Sequence, residues 1–210
     1  MLSFKEKINM SLIKNNIKIE KNPFDLLEKW YKKAKKNEIS NPNAMALSTV
    51  GPFNKPRTRM VLMKEIKENG IIFYTNSNSR KGNHINDNKN VSINFYWKSI
   101  DRQVLISGKI KKISSQESDK YFLTRNRKSQ IGAWASKQSQ KLKSKSNLKT
   151  KFDEIDKKYK GKEIPRPKYW NGYCVYPDSF EFWLQGEGRL HDRVEYKIKS
   201  GQWTTKLLYP

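Results

Sequence analysis

The feature that most constrains the fold is a series of short strand-like segments that follow one another without regularly spaced helices between them. Asn69-Gly70, placed between two apolar segments, is a strong hairpin signal. Consecutive hairpins without β-α-β alternation predict a mainly β, α+β fold, an antiparallel barrel with helices packed outside. The predicted strands are 45–50, 58–67, 71–75, 91–98, 102–113, 173–176, 180–185, 190–198 and 203–208.

Segment 91–98 shows the strand pattern most clearly, because apolar side chains occupy every second position from Val91 to Trp97. This alternation predicts a strand with one buried face. Helix starts are marked by different signals. Asn22 before Pro23 predicts one helix, Ser79 caps a second short one, and Ser114 with Glu117 forms a capping box for a third, after which the helical pattern continues to 159.

The length of 210 residues suits one substantial domain. Residues 1–21 are polar, rich in lysine and asparagine and weakly patterned, so we predict a mobile N-terminal arm followed by a single domain at 22–210.

The net charge of +24, from 44 Lys and Arg against 20 Asp and Glu, has two explanations. A basic surface can bind polyanions such as nucleic acid, or it can reflect a lysine-rich surface with local phosphate sites. The densest run, 137–151, contains no aromatic residue, whereas proteins that bind single strands interleave rings with charges. This favours a solvated segment and makes nucleic acid the less favoured partner.

The remaining composition bounds the compartment and the cofactor class. A single cysteine, Cys174, cannot form an intramolecular disulfide, which is typical of a reducing cytoplasm. The two histidines, His84 and His191, do not belong to a cluster with metal-ligand spacing, so we predict no metal. The sequence lacks an apolar stretch of signal-peptide or membrane-span length, so we expect a soluble cytoplasmic protein without membrane association.

A candidate ligand site lies in the segment 181–193, EFWLQGEGRLHDR. Its aromatic residues can cover a planar ring, its two glycines permit the positive φ angles of a tight turn, and its cations can bind phosphate. We predict that the basic residues alternate onto one face of the following strand; the alternative is an ordinary hairpin with a solvated basic edge. The residues concerned are Phe182, Trp183, Gly186, Gly188, Arg189, His191 and Arg193.

Three further segments offer groups that bind phosphate. In 59–64, the five-residue spacing places Arg59 and Lys64 on opposite faces of a regular strand. In 79–81, a serine cap and two cations at a helix start form an anion site. The third group is Arg125 with Ser129 and Gln130. Each of these charges, taken singly, could also be a solvated surface group.

The order of these segments closely resembles the pyridoxamine 5'-phosphate oxidase family, over a range from about residue 23 to residue 210. The resemblance rests on a series of motifs in register: NPNAM at 41–45, FYTN at 73–76, SRK at 79–81, RQV at 102–104, SQIGAWASKQS at 129–139, EFW at 181–183 and RLHDR at 189–193.

This resemblance implies a split β-barrel homodimer with FMN in a cleft between the subunits. The implied FMN-binding residues are Arg59, Met60, Val61, Leu62, Met63, Lys64, Tyr74, Thr75, Arg80, Lys81, Gln103, Gln138, Ser139, Trp183 and Arg193. The implied substrate-binding residues are Lys64, Tyr121, Arg125, Ser129, Arg189, Leu190 and His191, of which Arg189 and His191 would lie over the substrate ring as the catalytic pair.

The implied reaction is oxidation of pyridoxamine or pyridoxine 5'-phosphate to pyridoxal 5'-phosphate, with O2 reduced to H2O2. Two alternatives stay open: a barrel that binds FMN or pyridoxal phosphate with little turnover, and a basic nucleic-acid-binding protein. The chain departs from the family pattern at three places. An Arg-Arg-Glu-Tyr stretch common in the arm is missing near 6–9, Asn41 replaces an aspartate, and LQGEG precedes Arg189.

Overall fold

The computed structural model of the protein describes residues 16–210. In this range, nine antiparallel strands form one sheet and five α-helices pack around it. The helices are α1 Pro23–Asn37, α2 Arg80–Asp87, α3 Ser115–Leu123, α4 Arg127–Ala135 and α5 Lys145–Lys158. The strands are β1 Ala44–Val50, β2 Pro56–Leu62, β3 Glu65–Lys67, β4 Gly70–Asn76, β5 Asn90–Trp97, β6 Arg102–Lys112, β7 Trp170–Leu184, β8 Asp192–Lys199 and β9 Gln202–Leu207.

The strand order confirms the predicted mainly β, antiparallel architecture. The sheet runs β2-β1-β5-β6-β7-β4-β3, with β8 paired to β7 and β9 paired to β8. Val91, Ile93, Phe95 and Trp97 are all buried on the inner face, as their alternation predicts. Buried side chains of β1, β4, β5, β6, β7 and β8 form one continuous hydrophobic core.

Helix α1 closes one side of this core. The side chain of Asn22 accepts a hydrogen bond from the Phe24 N–H at 3.0 Å, which confirms the predicted cap. The rings of Phe24 and Trp30 then make edge-to-face contacts with Phe180 and Phe182, at centroid distances of 5.1 and 5.2 Å. Aromatic packing therefore fixes this helix against β7.

The segment before α1 is more closely packed than the sequence predicts. Ile17 is 3% exposed and belongs to the core, and the Tyr196 hydroxyl bonds with both the N–H and the C=O of Glu20 at 3.1 Å. Ile17 and Glu20, which lie in the segment that we assigned to the arm, thus pack against the domain. The rest of the predicted arm, 1–15 with the departure near 6–9, lies outside the described residues.

Two predicted strand boundaries are wrong. Segments 173–176 and 180–185 form the single strand β7, because the register shift between Ser107 and Gly108 accommodates Pro177, which has no N–H to donate. The predicted strand 58–67 is instead two strands, with Met63 and Lys64 between them.

The predicted hairpin at Asn69-Gly70 is confirmed, but its turn lies one residue earlier in the sequence than predicted. Gly70 pairs with Lys67 inside the ladder, so the two turn residues are Glu68 and Asn69. A Cβ at Gly70 would lie 2.2 Å from Cys174 Sγ on the neighbouring strand. The glycine is therefore required for close packing between strands.

A second, smaller hydrophobic cluster lies among β4, β7 and the helices α3, α4 and α5. Its buried members are Phe122, Ile131, Ile164 and Trp170. The capping box is present as predicted, since the Ser114 hydroxyl accepts from the Glu117 N–H and the Glu117 carboxylate accepts from Ser114. This cluster holds α3 and α4 beside the end of β4, where the candidate site lies.

Candidate active site

A cavity of about 520 Å³ opens between β2, β4, the start of α2 and the α3–α4 connection. It brings together most of the residues predicted for cofactor and substrate phosphate. Its lining consists of Met60, Val61, Leu62, Lys64, Tyr74, Thr75, Lys81, Tyr121, Thr124, Arg125, Asn126, Ser129, Gln138 and Trp170.

Three stacked aromatic rings form one wall of the cavity. The Tyr74 ring lies 4.0 Å from Tyr121 and 5.0 Å from Trp170, with interplanar angles of 9° in both pairs. Burial, together with the negative charge of Glu65, raises the pKa of Tyr74 to about 12, so its phenol stays protonated and can donate.

Arg125 lies against this aromatic wall with unused hydrogen-bonding capacity. Its guanidinium carbon is 4.7 Å from the centroid of Trp170, and its buried Nη1 has no hydrogen-bond partner within residues 16–210. Burial lowers the pKa of this arginine. Asn126 and Ser129 follow at the N-terminus of α4, where backbone dipoles favour an anion. A buried donor without a partner, beside a helix start, is typical of a phosphate site.

Lys81, in the first turn of α2, is a buried cation held by neutral groups. Its Nζ donates to Thr75 Oγ1 and to Gln138 Oε1, both at 2.9 Å, and the ammonium has no carboxylate partner in the described chain. Burial, followed by the charge of Arg59, lowers its pKa to about 8. An anion bound here would neutralise the ammonium charge of Lys81, which no carboxylate of the described chain neutralises.

Arg59 of β2 adds a second cation beside the start of α2. Its Nη1 donates to Leu47 O at 3.0 Å and to Thr49 Oγ1 at 2.7 Å. Burial lowers the pKa of Arg59, and the charges of Arg57 and Arg80 lower it further. Arg59, Arg80 and Lys81 therefore form a cationic group around the predicted Ser79 cap, which accepts from the Gly82 N–H.

The run from Arg59 to Lys64 divides between cavity and core. Met60, Val61, Leu62 and Lys64 line the cavity, whereas the Met63 side chain is 3% exposed and packs in the hydrophobic core. Because β2 ends at Leu62, Lys64 lies beyond the strand. Its position is therefore not set by the strand alternation on which the opposite-face prediction relied.

A second group of predicted residues lies at the far end of β7. Gln103, Trp183 and Arg193 are consecutive partners across β6, β7 and β8. The His191 ring centroid is 4.6 Å from that of Trp183, and His191 Nδ1 accepts from the Gly186 N–H at 3.2 Å. Arg193 pairs with Glu181 at 2.8 Å and donates to the backbone carbonyl of Tyr209.

The turn before β8 differs from its predicted form. Gly188 has the expected positive φ of 59°, but Gly186 has φ −116° and is required because a Cβ would lie 2.0 Å from the Leu190 carbonyl oxygen. Arg189 itself has φ 65°, which is uncommon for a residue with a side chain. The predicted alternation on one strand face is wrong, since Arg189 and His191 both precede β8.

The two groups are separated within one subunit. Trp170, in the cavity, is the first residue of β7, and Trp183 is thirteen positions later. At a strand rise of 3.3 Å this corresponds to about 40 Å of extended chain. The predicted residues of the second group, Gln103, Trp183, Arg189, Leu190, His191 and Arg193, do not line the cavity of their own chain. Arg59, Met63, Arg80 and Ser139 do not line it either, but each is next in sequence to a residue that does.

The sequence did not identify three cavity residues, Thr124, Asn126 and Trp170. Asn126 could have been found as a helix cap before Arg127, whereas no local pattern marks Trp170.

Within residues 16–210, His, Cys, Asp and Glu form no group of three or more that could hold a metal ion. In the same range, each helix is too short or too polar to cross a membrane.

Comparison with known proteins identifies the family. A family model described as pyridoxamine 5'-phosphate oxidase matches residues 31–159, and one described as pyridoxine 5'-phosphate oxidase C-terminal dimerisation region matches 170–210. The chain is similar to a pyridoxine/pyridoxamine 5'-phosphate oxidase of Pelagibacter ubique, with 46% identity over 190 residues, 90% of this chain and 91% of the relative. A protein of the same description from Aliarcobacter butzleri is 45% identical over 193 residues, 91% of each chain.

Solved structures agree with this similarity. PhzG from Burkholderia lata, solved in complex with tetrahydrophenazine-1-carboxylic acid, superposes with a TM-score of 0.87 at 30% identity, over 91% of this chain and 94% of that chain. A pyridoxamine 5'-phosphate oxidase-related, FMN-binding protein from Nostoc punctiforme shares the fold, with a TM-score of 0.72 at 15% identity, over 91% and 100%. The chain therefore belongs to the pyridoxamine 5'-phosphate oxidase family, FMN-dependent oxidoreductases built on an antiparallel split barrel.

Proposed function

We propose that this protein oxidises pyridoxamine 5'-phosphate and pyridoxine 5'-phosphate to pyridoxal 5'-phosphate, with O2 as the final electron acceptor and H2O2 as product. The observation that carries the proposal is a cavity with two separate cationic groups. One is Lys81 of the cavity lining, at the start of α2, with Arg80 and with Arg59 of β2 beside it, and the other is Arg125 with Ser129 at the start of α4. A cofactor and a substrate that each carry a phosphate need two such subsites.

The residues present fit FMN. Lys81 is 8% exposed and has no carboxylate partner in the described chain, so the phosphate dianion would stabilise its charge. The backbone of 60–62 and the amide of Gln138 lie along the same cavity and can bond the polar edge of the flavin. Bound FMN supplies the hydride acceptor of this reaction and passes the electrons to O2.

The substrate fits the second subsite. The free Nη1 of Arg125 and the Ser129 hydroxyl can hold the substrate phosphate, and Lys64 adds a third cationic contact. The stacked wall of Tyr74, Tyr121 and Trp170 limits the space available to the ligand and excludes water. These residues bind and orient the substrate so that its exocyclic carbon, which loses the hydride, faces the flavin.

Arg189 and His191 complete the site from a second subunit. Neither residue reaches the cavity of its own chain, whereas the match of 170–210 to a dimerisation region supports a homodimer. In this arrangement Arg189 and His191 lie over the substrate ring and fix its polar substituents. The left-handed backbone at Arg189, φ 65°, lies in the turn before β8, and uncommon backbone angles of this kind cluster at functional sites.

The test is the visible absorption spectrum of the protein with FMN, recorded without oxygen before and after pyridoxamine 5'-phosphate is added. We expect a protein-bound flavin band that bleaches on reduction. A bound band that does not bleach would indicate a binding protein with little turnover, and absence of bound flavin would favour the nucleic-acid alternative.

Two variants test the division of roles. Arg189→Ala should abolish bleaching while FMN remains bound, because Arg189 is assigned to the substrate. Arg59→Ala should weaken FMN binding itself by about tenfold or more, since a charge-assisted hydrogen bond to phosphate is lost. Equal loss of flavin in both variants would contradict these assignments.

A further inference from the structure

A buried histidine is linked to the cationic group around α2. His84, in the middle of α2, is 6% exposed, and its Nδ1 lies 3.2 Å from the hydroxyl oxygen of Thr49 on β1. Thr49 is fully buried and its hydroxyl also accepts the hydrogen bond from Arg59 Nη1 at 2.7 Å. Three elements, α2, β1 and β2, are thus connected by one chain of side-chain hydrogen bonds.

Only one direction in this chain of bonds is fixed by the donors. Arg59 can only donate, so Thr49 Oγ1 accepts from it. The hydroxyl keeps its hydrogen and a second lone pair, so it can donate to His84 Nδ1 or accept from it, according to the His84 tautomer. The hydrogen bonds of Arg59 to the described residues both use Nη1, so within residues 16–210 Nε and Nη2 have no protein partner. These two nitrogens are available for an anion.

The histidine ring is also fixed by its packing. A Cβ at Gly51 would lie 2.5 Å from Cε1 and 2.6 Å from Nε2 of His84. The imidazole therefore occupies the space that a side chain at position 51 would need. Its ring is held between the β1–β2 turn and helix α2, which restricts Nδ1 to the position facing Thr49.

The chain of bonds joins the two halves of the FMN phosphate subsite. Lys81 is three residues before His84, on the same side of α2. The charge of Arg59 lowers the pKa of Lys81, which shows that the two cations repel each other. Without a phosphate between them, this repulsion favours separation of α2 from β2, and the bonds through Thr49 oppose it.

We propose that Thr49 and His84 are positioning residues that hold Arg59 and the start of α2 at the spacing an FMN phosphate requires. This inference rests on the proposed role of Arg59 in FMN binding. Neither residue contacts the cavity directly, so both act through Arg59 and through the placement of Lys81.

The experiment compares matched substitutions by titrating FMN against apoprotein and following the quenching of flavin fluorescence. Thr49→Val keeps the shape but removes the hydroxyl, and we expect the FMN dissociation constant to rise about tenfold. Thr49→Ser restores the hydroxyl and should bind within about twofold of wild type. Thr150→Val, an exposed threonine of α5, is the control and should change nothing.

The histidine is tested in the same way. His84→Ala should weaken FMN binding as Thr49→Val does, whereas His84→Asn, whose side-chain amide can accept or donate near the position of Nδ1, should recover part of the affinity. Thermal unfolding of each apoprotein identifies variants that lose the fold. If a His84 variant unfolds, the comparison of Thr49→Val with Thr49→Ser alone tests the proposal.

A double-mutant cycle separates positioning from general damage. Because Thr49 acts partly through Arg59, Thr49→Val should have a clearly smaller effect on FMN affinity when Arg59→Ala is already present. Wild-type affinity in Thr49→Val, or an equal loss in both backgrounds, would overturn the inference. Unchanged FMN binding in Arg59→Ala alone would instead refute the assignment of Arg59, which is a different failure.

Discussion

At the scale of single residues, Lys81 is a buried ammonium that has no carboxylate partner in the described chain and that an anionic ligand would stabilise. Burial and the nearby Arg59 disfavour the ammonium and lower its pKa to about 8, from the ordinary 10.5. Below pH 8 the lysine is charged in both the folded and the unfolded chain, so burial of the charge destabilises the fold. Between about pH 8 and 10.5 only the unfolded chain keeps the proton, so this residue makes the apoprotein more stable as the pH rises.

Lys81 also predicts that the affinity for FMN falls as the pH rises, whereas the stability of the apoprotein increases. The phosphate favours charged Lys81, so affinity should fall as the pH rises through about 8, by up to about tenfold per pH unit. FMN titrations at several pH values from 7 to 10 would measure this slope. In Lys81→Met the affinity should be lower at pH 7 and the slope from this group should vanish. An unchanged slope in the variant would assign the titration to another group.

Arg125 predicts a loss confined to the substrate. Arg125→Ala removes the donor whose Nη1 has no partner, and we expect the KM for pyridoxamine 5'-phosphate to rise about 10- to 100-fold. FMN affinity should stay close to wild type, because the cofactor phosphate is assigned to α2. Steady-state kinetics with saturating FMN would measure the change. Arg127→Ala provides the matched control, because the exposed Arg127 of α4 pairs with Asp156 of α5 and does not line the cavity.

Residue types in the site were predictable from the sequence, but their surroundings were not. Lysines and arginines near serine-capped helix starts could be assigned to anion binding from local rules alone. The link from His84 through Thr49 to Arg59 could not, because its members are 35 and 10 positions apart and meet only when α2 packs on β1. Trp170 was missed for the same reason.

At the scale of elements, the sequence predicted types better than boundaries. Alternation from Val91 to Trp97 identifies β5 because one face is buried in the core. The continuity of β7 through Pro177 could not be predicted, because proline in a strand normally indicates an interruption. The bulge is on β7 itself, because Asp178 has no partner between Pro177 and Ser179, which pair with the consecutive residues Gly108 and Ser107 of β6. Gly108 is 69 positions before Pro177, and a Cβ there would lie 2.2 Å from the Tyr176 carbonyl oxygen.

The β3–β4 hairpin gives a prediction of stability. Gly70→Ala would place a Cβ 2.2 Å from Cys174 Sγ, and we expect a loss of about 1–3 kcal/mol in the free energy of unfolding. Chemical denaturation would measure it. Cys174→Ala removes the sulfur atom, so Gly70→Ala should cost much less in the Cys174→Ala background. The same cost in both backgrounds would show that the backbone conformation, not the sulfur contact, requires glycine.

At the scale of the whole molecule, the separation of the two residue groups predicts complementation between inactive subunits. At a substrate concentration near the wild-type KM, Arg125→Ala and Arg189→Ala should each have little activity alone. If each site takes Arg125 from one chain and Arg189 from the other, mixed dimers contain one intact site. Random exchange of subunits should then restore about a quarter of wild-type activity.

The measurement is the rate of pyridoxal phosphate formation after the two variants are unfolded together and refolded, or co-expressed. Each variant treated alone is the control. Failure to recover activity, with mixed dimers demonstrated by two different tags, would place both arginines in the same chain's site.

Strand β7 has a consequence for communication between sites. Its first residue, Trp170, belongs to the cavity of its own subunit, and Trp183 near its other end belongs to the group proposed to enter the partner's cavity. In the proposed dimer, one strand, with a single register shift near Pro177, therefore spans both active centres. If the dimer is arranged in this way, a ligand that shifts β7 at one centre would also change the placement of Trp183 at the other, and we expect the two centres not to fill independently.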